Sequence, residues 1–442
     1  MIRVIGAGLA GCEAAWQIAQ AGLSVALYEM KPKKHTPAHH ADTFAELVCS
    51  NSLKASRLDS APGMLKAEME RLGSLLVPCA KATAVEAGGA LAVERHAFSR
   101  MVTEKIRSHP NIMICEEEVE RIPEGKVILA TGPLTADTLA REIALICGEQ
   151  LSFYDAAAPI VTRESLDESR IFYASRYGRG DADYINCPME KPEYEAFYEA
   201  LIGAESAPLK EFDKATFRVY EGCMPIEVLA KRGADTMRFG PLKPVGLTDP
   251  HTGRRPYAVV QLRKENREGT LYNLVGFQTN LKFGEQKRVF SMIPGLAHAE
   301  FMRYGVMHRN SFLNSPRLLT DTYCMRTNPD LYFAGQITGV EGYMESAGSG
   351  LVAGLNLVRA VQGKPPLHLP RETMLGALAA HVSDSYNEKF QPMGANMGIL
   401  PELPERIRDK KAKYMALAQR GMQALEALLT EDAAQTGTEW GV

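Results

Sequence analysis

The chain has 442 residues, 50 Lys plus Arg against 53 Asp plus Glu, a net charge of −3 and 45% hydrophobic residues. That balance excludes a disordered, collagenous or coiled-coil protein and leaves room for two or three folded domains. It also excludes a globally polybasic surface, so any nucleic-acid contact has to rest on local patches.

No apolar run approaches the ~18 residues of a membrane span. The eight cysteines stand no closer than 30 residues apart, without a C-x-x-C pair, and fit a reducing cytosol better than an exported fold. A cytoplasmic protein with no membrane contact is expected. Leu9-Ala10-Gly11-Cys12 has the outline of a lipoprotein cleavage site, but the stretch before it is too short for an export signal.

The first 30 residues carry the clearest motif. Ile2–Ile5 is a short β-branched run, followed by Gly6-Ala7-Gly8-Leu9-Ala10-Gly11, a segment of helical composition, a second apolar run from Val25, and Glu29. Strand, G-x-G-x-x-G, helix, strand and acid together predict a dinucleotide-binding βαβ unit. Gly6 permits the tight turn, Gly8 lets backbone amides approach a pyrophosphate, Gly11 brings helix and strand close, and Glu29 is placed to accept from a ribose hydroxyl.

Downstream, Val127-Ile128-Leu129 runs into Ala130-Thr131-Gly132, and Leu331-Tyr332-Phe333 runs into Ala334-Gly335. Both look like strands that return the chain to a flavin domain. After the second lies a glycine-dense stretch opening a helix at about 346–361, with Gly339, Gly342, Tyr343, Ser346 and Gly348 expected against the cofactor. An NAD enzyme has no need of this second glycine-rich segment, so FAD is the expected resident cofactor, with NADPH or NADH as a visiting reductant. Close helix packing is the plainer reading of the same glycines.

Between them, short alternating stretches (156–162, 258–263, 272–277) mix with short helical ones (191–202, 225–232, 285–293), predicting an inserted α+β domain. The fold class expected is therefore α/β: a Rossmann-type FAD domain of the two-dinucleotide-binding flavoprotein type (1–155 and 304–370), an insertion (156–303), and a helical C-terminal segment (371–442). The tail is expected to be helical over 403–429, with Arg406, Arg408, Lys410, Lys411 and Lys413 in its first turns. These, with Arg254, Arg255, the Arg263-Lys264-Arg267 cluster, Lys282, Lys287 and Arg288, could form one phosphate-gripping face; taken alone, a solvated helix face explains the tail equally simply.

Cys49, in Leu47-Val48-Cys49-Ser50, and Cys223, ahead of Met224-Pro225, sit in contexts that could activate a thiolate, although a lone cysteine is ordinarily an inert small hydrophobe. His35, His39 and His40 do not form a metal site, because Pro37 breaks the helix that would align them and partners are lacking. His308, beside Arg309 and Asn310, is suited to stacking on a heteroaromatic ring.

Across nearly the whole chain the blocks VIGAGLAGCEAAW, KPKKHTPAHHADTFAELVCSNSL, GCMPIEVLAKRG, FGPLKPVGL, GFQTNLKFGEQKRVFSMIPGL, RYGVMHRNSFLNSP, VEGYMESAGSG and FQPMGANMGIL occur in order. The chain resembles the bacterial folate- and FAD-dependent tRNA uracil-5-methyltransferases, flavoproteins that make 5-methyluridine at position 54 of the T-loop. It also shares segments with the longer flavoproteins that modify the wobble uridine.

The resemblance implies that Cys223 is the nucleophile toward uracil, that Cys49 is a second active-site cysteine, and that His308 stacks the folate pterin against the flavin. It further implies methylenetetrahydrofolate as one-carbon donor and the tRNA T-arm as partner. Uracil C5 becomes nucleophilic only after a thiolate adds to C6, and a unit at the formaldehyde level needs a hydride to become methyl, which reduced flavin can give. Without the resemblance, the residues alone favour a flavin oxidoreductase of small molecules; a non-catalytic flavoprotein that binds tRNA is the third reading.

Overall fold

Six strands form the sheet at the centre of the first fold unit, in the spatial order Cys324–Met325, Asn328–Phe333, Val127–Leu129, Ile2–Ile5, Val25–Tyr28, Ile112–Cys115. All neighbours are parallel except the edge pair of Cys324–Met325 with Asn328–Phe333. The computed structural model describes residues 1–442 apart from 37, 149–150, 157, 179–180, 208–223, 267, 306, 388–389, 439 and 441–442. Sheet residues such as Val4, Leu27, Ile128, Leu129 and Phe333 are fully enclosed. A parallel sheet covered on both faces selects such continuous apolar runs, which is why they read clearly in the sequence.

Two helices meet against this sheet, Leu9–Gln20 and Tyr343–Val361. Their closeness depends on glycine: a Cβ at Gly350 would stand 2.1 Å from the Ala10 carbonyl oxygen, and one at Gly354 would stand 2.9 Å from that of Ala14. Gly350 and Gly354 therefore serve close helix packing. Buried carboxylates tie further helices to this body. Glu13 accepts from the Leu75 and Leu76 amides at 3.0 Å each, and Glu68 accepts from Met374 and Leu375 at 2.7 and 2.9 Å. Burial pushes Glu13 up to about 7 and Glu68 up to about 8.

The second sheet is antiparallel, in the order Phe172–Tyr173, Tyr184–Met189, Ala258–Lys264, Leu271–Leu274, Ile160–Thr162, Phe301–Arg303. It has its own apolar core, with Val161, Ile185, Phe197, Val260, Leu262, Phe277 and Phe290 among its members. An antiparallel ribbon of Leu151–Ala156 with Met307–Phe312 carries the chain out of the first unit and back. The helix Lys191–Ile202 lies where the sequence placed it, with Glu190 and Glu193 forming a capping box. The expected helix over 285–293 is instead Phe283–Phe290, followed by a short turn at Pro294–Leu296. That over 225–232 is the shorter Ile226–Ala230.

The tail helix runs Lys410–Thr436, seven residues later at its start than expected. Pro401 and Pro404 interrupt the approach, and Asp409 provides the cap by accepting from the Ala412 amide at 2.7 Å. Gly437, in the left-handed region, ends it. Arg359 holds it to the core through a two-pronged bond to Asp432 at 3.0 and 2.6 Å, with both side chains 6% exposed.

Candidate functional site: a nucleotide groove ending at a cysteine

The turn after the first strand follows from three glycines with three different jobs. Gly6 has φ +100, and a Cβ there would lie 2.6 Å from the Ala130 carbonyl oxygen. A Cβ at Gly11 would lie 1.8 Å from the Gly6 carbonyl oxygen, so only glycine lets the helix start this close to the strand. Gly8 is different: its φ is −74, and a Cβ there would meet nothing within 4 Å. Its missing side chain leaves open space in front of a helix N-terminus that no side chain caps. The first-turn amides, which have no partner within the helix, and the positive end of a 12-residue helix suit a pyrophosphate.

That space belongs to a groove whose lining joins the phosphate loop to Glu29, Gly132, Gly335 and Cys49, a spread of elements that suits an extended dinucleotide. Gly6, Ala7, Gly8, Leu9, Ala10, Glu29, Gly132, Gly335, Tyr343 and Ser346 line it, ten of the fourteen residues the sequence assigned to a cofactor. Gly11 supports it from behind. Glu29 is engaged on both oxygens, accepting from the Ala7 amide at 3.0 Å and the Lys31 amide at 3.1 Å, which fixes the carboxylate at the end of the second strand.

Three expected cofactor residues lie elsewhere. Gly348 faces Leu375, Leu65 and Met69, and Gly339 packs against Phe390, where a Cβ would come within 2.4 Å of the ring. Gly342 lies against Glu345 and Lys54. Spacing along a glycine-rich helix cannot distinguish the face that meets a ligand from the face that meets another helix.

Cys49 and Tyr343 stand together on the wall of the groove. The Tyr343 hydroxyl oxygen accepts from the Cys49 amide at 2.8 Å and from the Ser50 amide at 3.1 Å, and lies 2.9 Å from Cys49 Sγ. With both lone pairs so engaged, the phenolic proton is directed to the sulfur. Burial, then the neighbouring Cys49, raise the Tyr343 pKa well above its ordinary value, so the phenol keeps that proton. The arrangement gives a sulfur at the edge of a ligand groove with a donor aimed at it. Cys223 lies outside the described residues. His308 belongs to the strand Met307–Phe312, opposite Asp155, and its side chain lies outside those described.

Sequence reasoning missed the residues that hold Cys49 in place. Asn51 donates to the carbonyls of Val93 and Lys264 at 3.1 and 2.9 Å, while Arg263 donates to Asn51 at 3.0 Å and to Ser50 Oγ at 2.7 Å. Arg95 pairs with Glu265 and donates to the Leu47 carbonyl at 2.6 Å. Thus the second sheet clamps the cysteine loop of the first unit. This corrects the reading of Arg263 and Lys264 as surface bases: Arg263 is buried and Lys264 pairs with Glu86. Lys282 pairs with Glu205, and Arg288 with Glu285 at 2.7 Å. Arg406, Arg408, Lys410 and Lys411 are exposed, and Lys413 is half-buried.

A family model described as "Glucose inhibited division protein A" matches residues 1–365. A protein of Heliobacterium modesticaldum, named methylenetetrahydrofolate–tRNA-(uracil-5-)-methyltransferase, is 58% identical over 433 residues, 98% of each chain. One of the same name from Enterococcus faecalis is 59% identical, covering 95% of this chain and 97% of the relative. The chain belongs to the family of methylenetetrahydrofolate–tRNA-(uracil-5-)-methyltransferases. Among solved structures, Aquifex aeolicus GidA matches with a TM-score of 0.69 at 17% identity, over 97% of this chain and 75% of that one. That likeness bears out the expected fold class.

Proposed function

We propose that the protein forms 5-methyluridine in the T-loop of tRNA, at position 54, with methylenetetrahydrofolate as one-carbon donor, FAD in the groove and NADPH or NADH as reductant. The observation that carries this is a dinucleotide groove whose wall ends at Cys49, in a chain 58% identical over nearly its whole length to a relative of that name. When bound, reduced flavin supplies the hydride that completes a methyl group.

The chain's own residues do the rest. Cys223 adds to uracil C6, and His308 stacks the pterin. Cys49, under the Tyr343 hydroxyl, is placed to receive a proton at the groove wall. Arg406, Arg408, Lys410, Lys411 and Lys413, with Lys282 and Arg288 freed from their acidic partners, hold phosphates, and the target base is flipped out to reach the site. The reaction belongs in the cytoplasm, where tRNA and folate meet; no helix among the described residues is long and apolar enough to cross a membrane.

Incubation of an unmodified tRNA transcript with the yellow protein, methylenetetrahydrofolate and NADPH, followed by nuclease digestion and mass spectrometry, tests this. New 5-methyluridine in the T-loop fragment, lost when folate is omitted, is expected. Flavin that bleaches with NADPH without any methylated uridine would return the protein to the small-molecule oxidoreductases.

A further inference from the structure

Opposite the cysteine loop, the second sheet presents a polar row. The register pairs Arg263 with Asn273, Asn273 with Ile160, and Ile160 with Arg303, so these four residues from adjacent strands share one face. Arg263 at one end touches Ser50 and Asn51, which fixes that face toward Cys49. Glu265, just past the end of the strand that carries Arg263, meets Arg95 of the first unit, their side chains 6% and 10% exposed.

This cluster is incomplete. Arg303 Nε and Nη2, Arg95 Nη2 and Glu265 Oε2 are all buried and have no hydrogen-bond partner among the described residues. Unpartnered buried charges are costly, and four such atoms in one cluster mean that a polar group belongs among them. Arg303 lies within electrostatic reach of Arg95, Glu265, Tyr343 and Cys49; burial, then the Arg95 charge, lowers its pKa. Nε and Nη2 form the edge of a guanidinium that offers two parallel N–H bonds. The unpartnered atoms thus comprise an anionic acceptor with an arginine donor from each of two structural units.

We infer that Glu265, flanked by Arg95 and Arg303, reads the imide edge of the target uracil, the carboxylate accepting from N3–H while one guanidinium donates to each neighbouring carbonyl. The inference rests on the tRNA-uracil reading above and names the residues that would recognise the base. Cytosine has no proton on N3 and presents an amino group at C4, so the same set rejects it; buried hydrogen-bonding sites discriminate strongly against a base that leaves them unpaired. The arrangement also serves the chemistry. When a thiolate bonds to C6, the C5=C6 π electrons move through C4 onto O4, and an arginine donor there meets the developing charge.

The test couples single atoms of the base to single side chains. Full-length protein with its flavin is given tRNA transcripts carrying uridine, 2-thiouridine or 4-thiouridine at the target position, and single-turnover methylation is measured beside RNA affinity. Sulfur accepts hydrogen bonds weakly, so each thio substitution is expected to slow the wild type about tenfold, the scale of one bond to a charged donor. In Arg303→Lys the penalty for one of the two substitutions falls to within about twofold and in Arg95→Lys the other does, while the salt dependence of RNA binding stays that of the wild type. Flavin content and melting temperature identify a variant that has failed to fold, in which case the remaining one decides. Penalties that simply add in both variants, or a general loss of RNA affinity that marks a phosphate contact, would overturn the inference. Failure of the wild type to methylate any uridine would instead overturn the proposed function.

Discussion

Two glycines three residues apart in the nucleotide loop should respond oppositely to the same methyl group. At Gly8 the backbone has φ −74 and a Cβ meets nothing within 4 Å, so Gly8→Ala is compatible with the fold. Reduced freedom of the unfolded chain favours it by about 0.4–1 kcal/mol, and the poorer helix cap opposes it by an amount of similar size. The apoprotein should therefore melt within a degree or two of wild type. The methyl nevertheless occupies the space in front of the uncapped helix, where a pyrophosphate would approach. Loss of one charge-assisted contact, about 1.5–3 kcal/mol, predicts flavin affinity lower by about 10- to 100-fold.

Gly11→Ala puts its Cβ 1.8 Å from the Gly6 carbonyl oxygen, and Gly6 cannot retreat because its own Cβ direction is closed by Ala130. Overpacking of this kind costs about 1–3 kcal/mol or more and acts on the apoprotein itself. Melting of the apoproteins and flavin titration by fluorescence quenching separate the two effects. Wild-type flavin affinity in Gly8→Ala would refute the assignment of that space to a dinucleotide phosphate, and wild-type apo melting in Gly11→Ala would refute the close helix–strand contact.

Tyr343→Phe removes the acceptor for the Cys49 and Ser50 amides and should cost about 1–3 kcal/mol in melting experiments while changing the pH dependence of Cys49 alkylation; an unchanged alkylation profile would separate the phenol from the sulfur. Arg359→Met leaves Asp432 buried with only Trp440, Thr436 and neighbouring groups, and should destabilise by about 3–5 kcal/mol in urea; a loss below about 1 kcal/mol would contradict the tail's docking through this pair. Glu68, ordinarily near 4.5 and raised to about 8 by burial, binds its proton more tightly folded than unfolded, so its contribution is complete below about pH 4.5 and is lost as pH rises through about 8. Glu68→Gln should flatten the fall in stability across that window, where one such group contributes a slope of up to about 1.4 kcal/mol for each pH unit, leaving a residual slope from Glu13, which is raised to about 7; an unchanged slope would show that Glu68 does not titrate there.

The parallel sheet and its phosphate loop were legible in the sequence because a sheet buried on both faces demands apolar runs and a close turn demands glycine at fixed offsets. Cys49 is named as a site residue only through the family resemblance, since its partner Tyr343 comes from 294 residues away. The basic clusters misled for the same reason. Arg263 looks like any surface base until the fold turns it toward Ser50 and Asn51, and the spacing of Gly348 does not show that Leu375 packs beside it. The tail helix began late because a capping aspartate and two prolines outweighed composition, a contest that periodicity alone does not register.

The product's methyl group is the folate methylene with both its hydrogens kept and one hydrogen added. Methylenetetrahydrofolate carrying two deuterons on its methylene group, given to the yellow protein with unlabelled NADPH and a tRNA transcript, addresses it directly. The methyl group of the 5-methyluridine should retain both deuterons and gain one ordinary hydrogen. A methyl group without deuterium, or no methylated uridine while the flavin is still reduced, would contradict it.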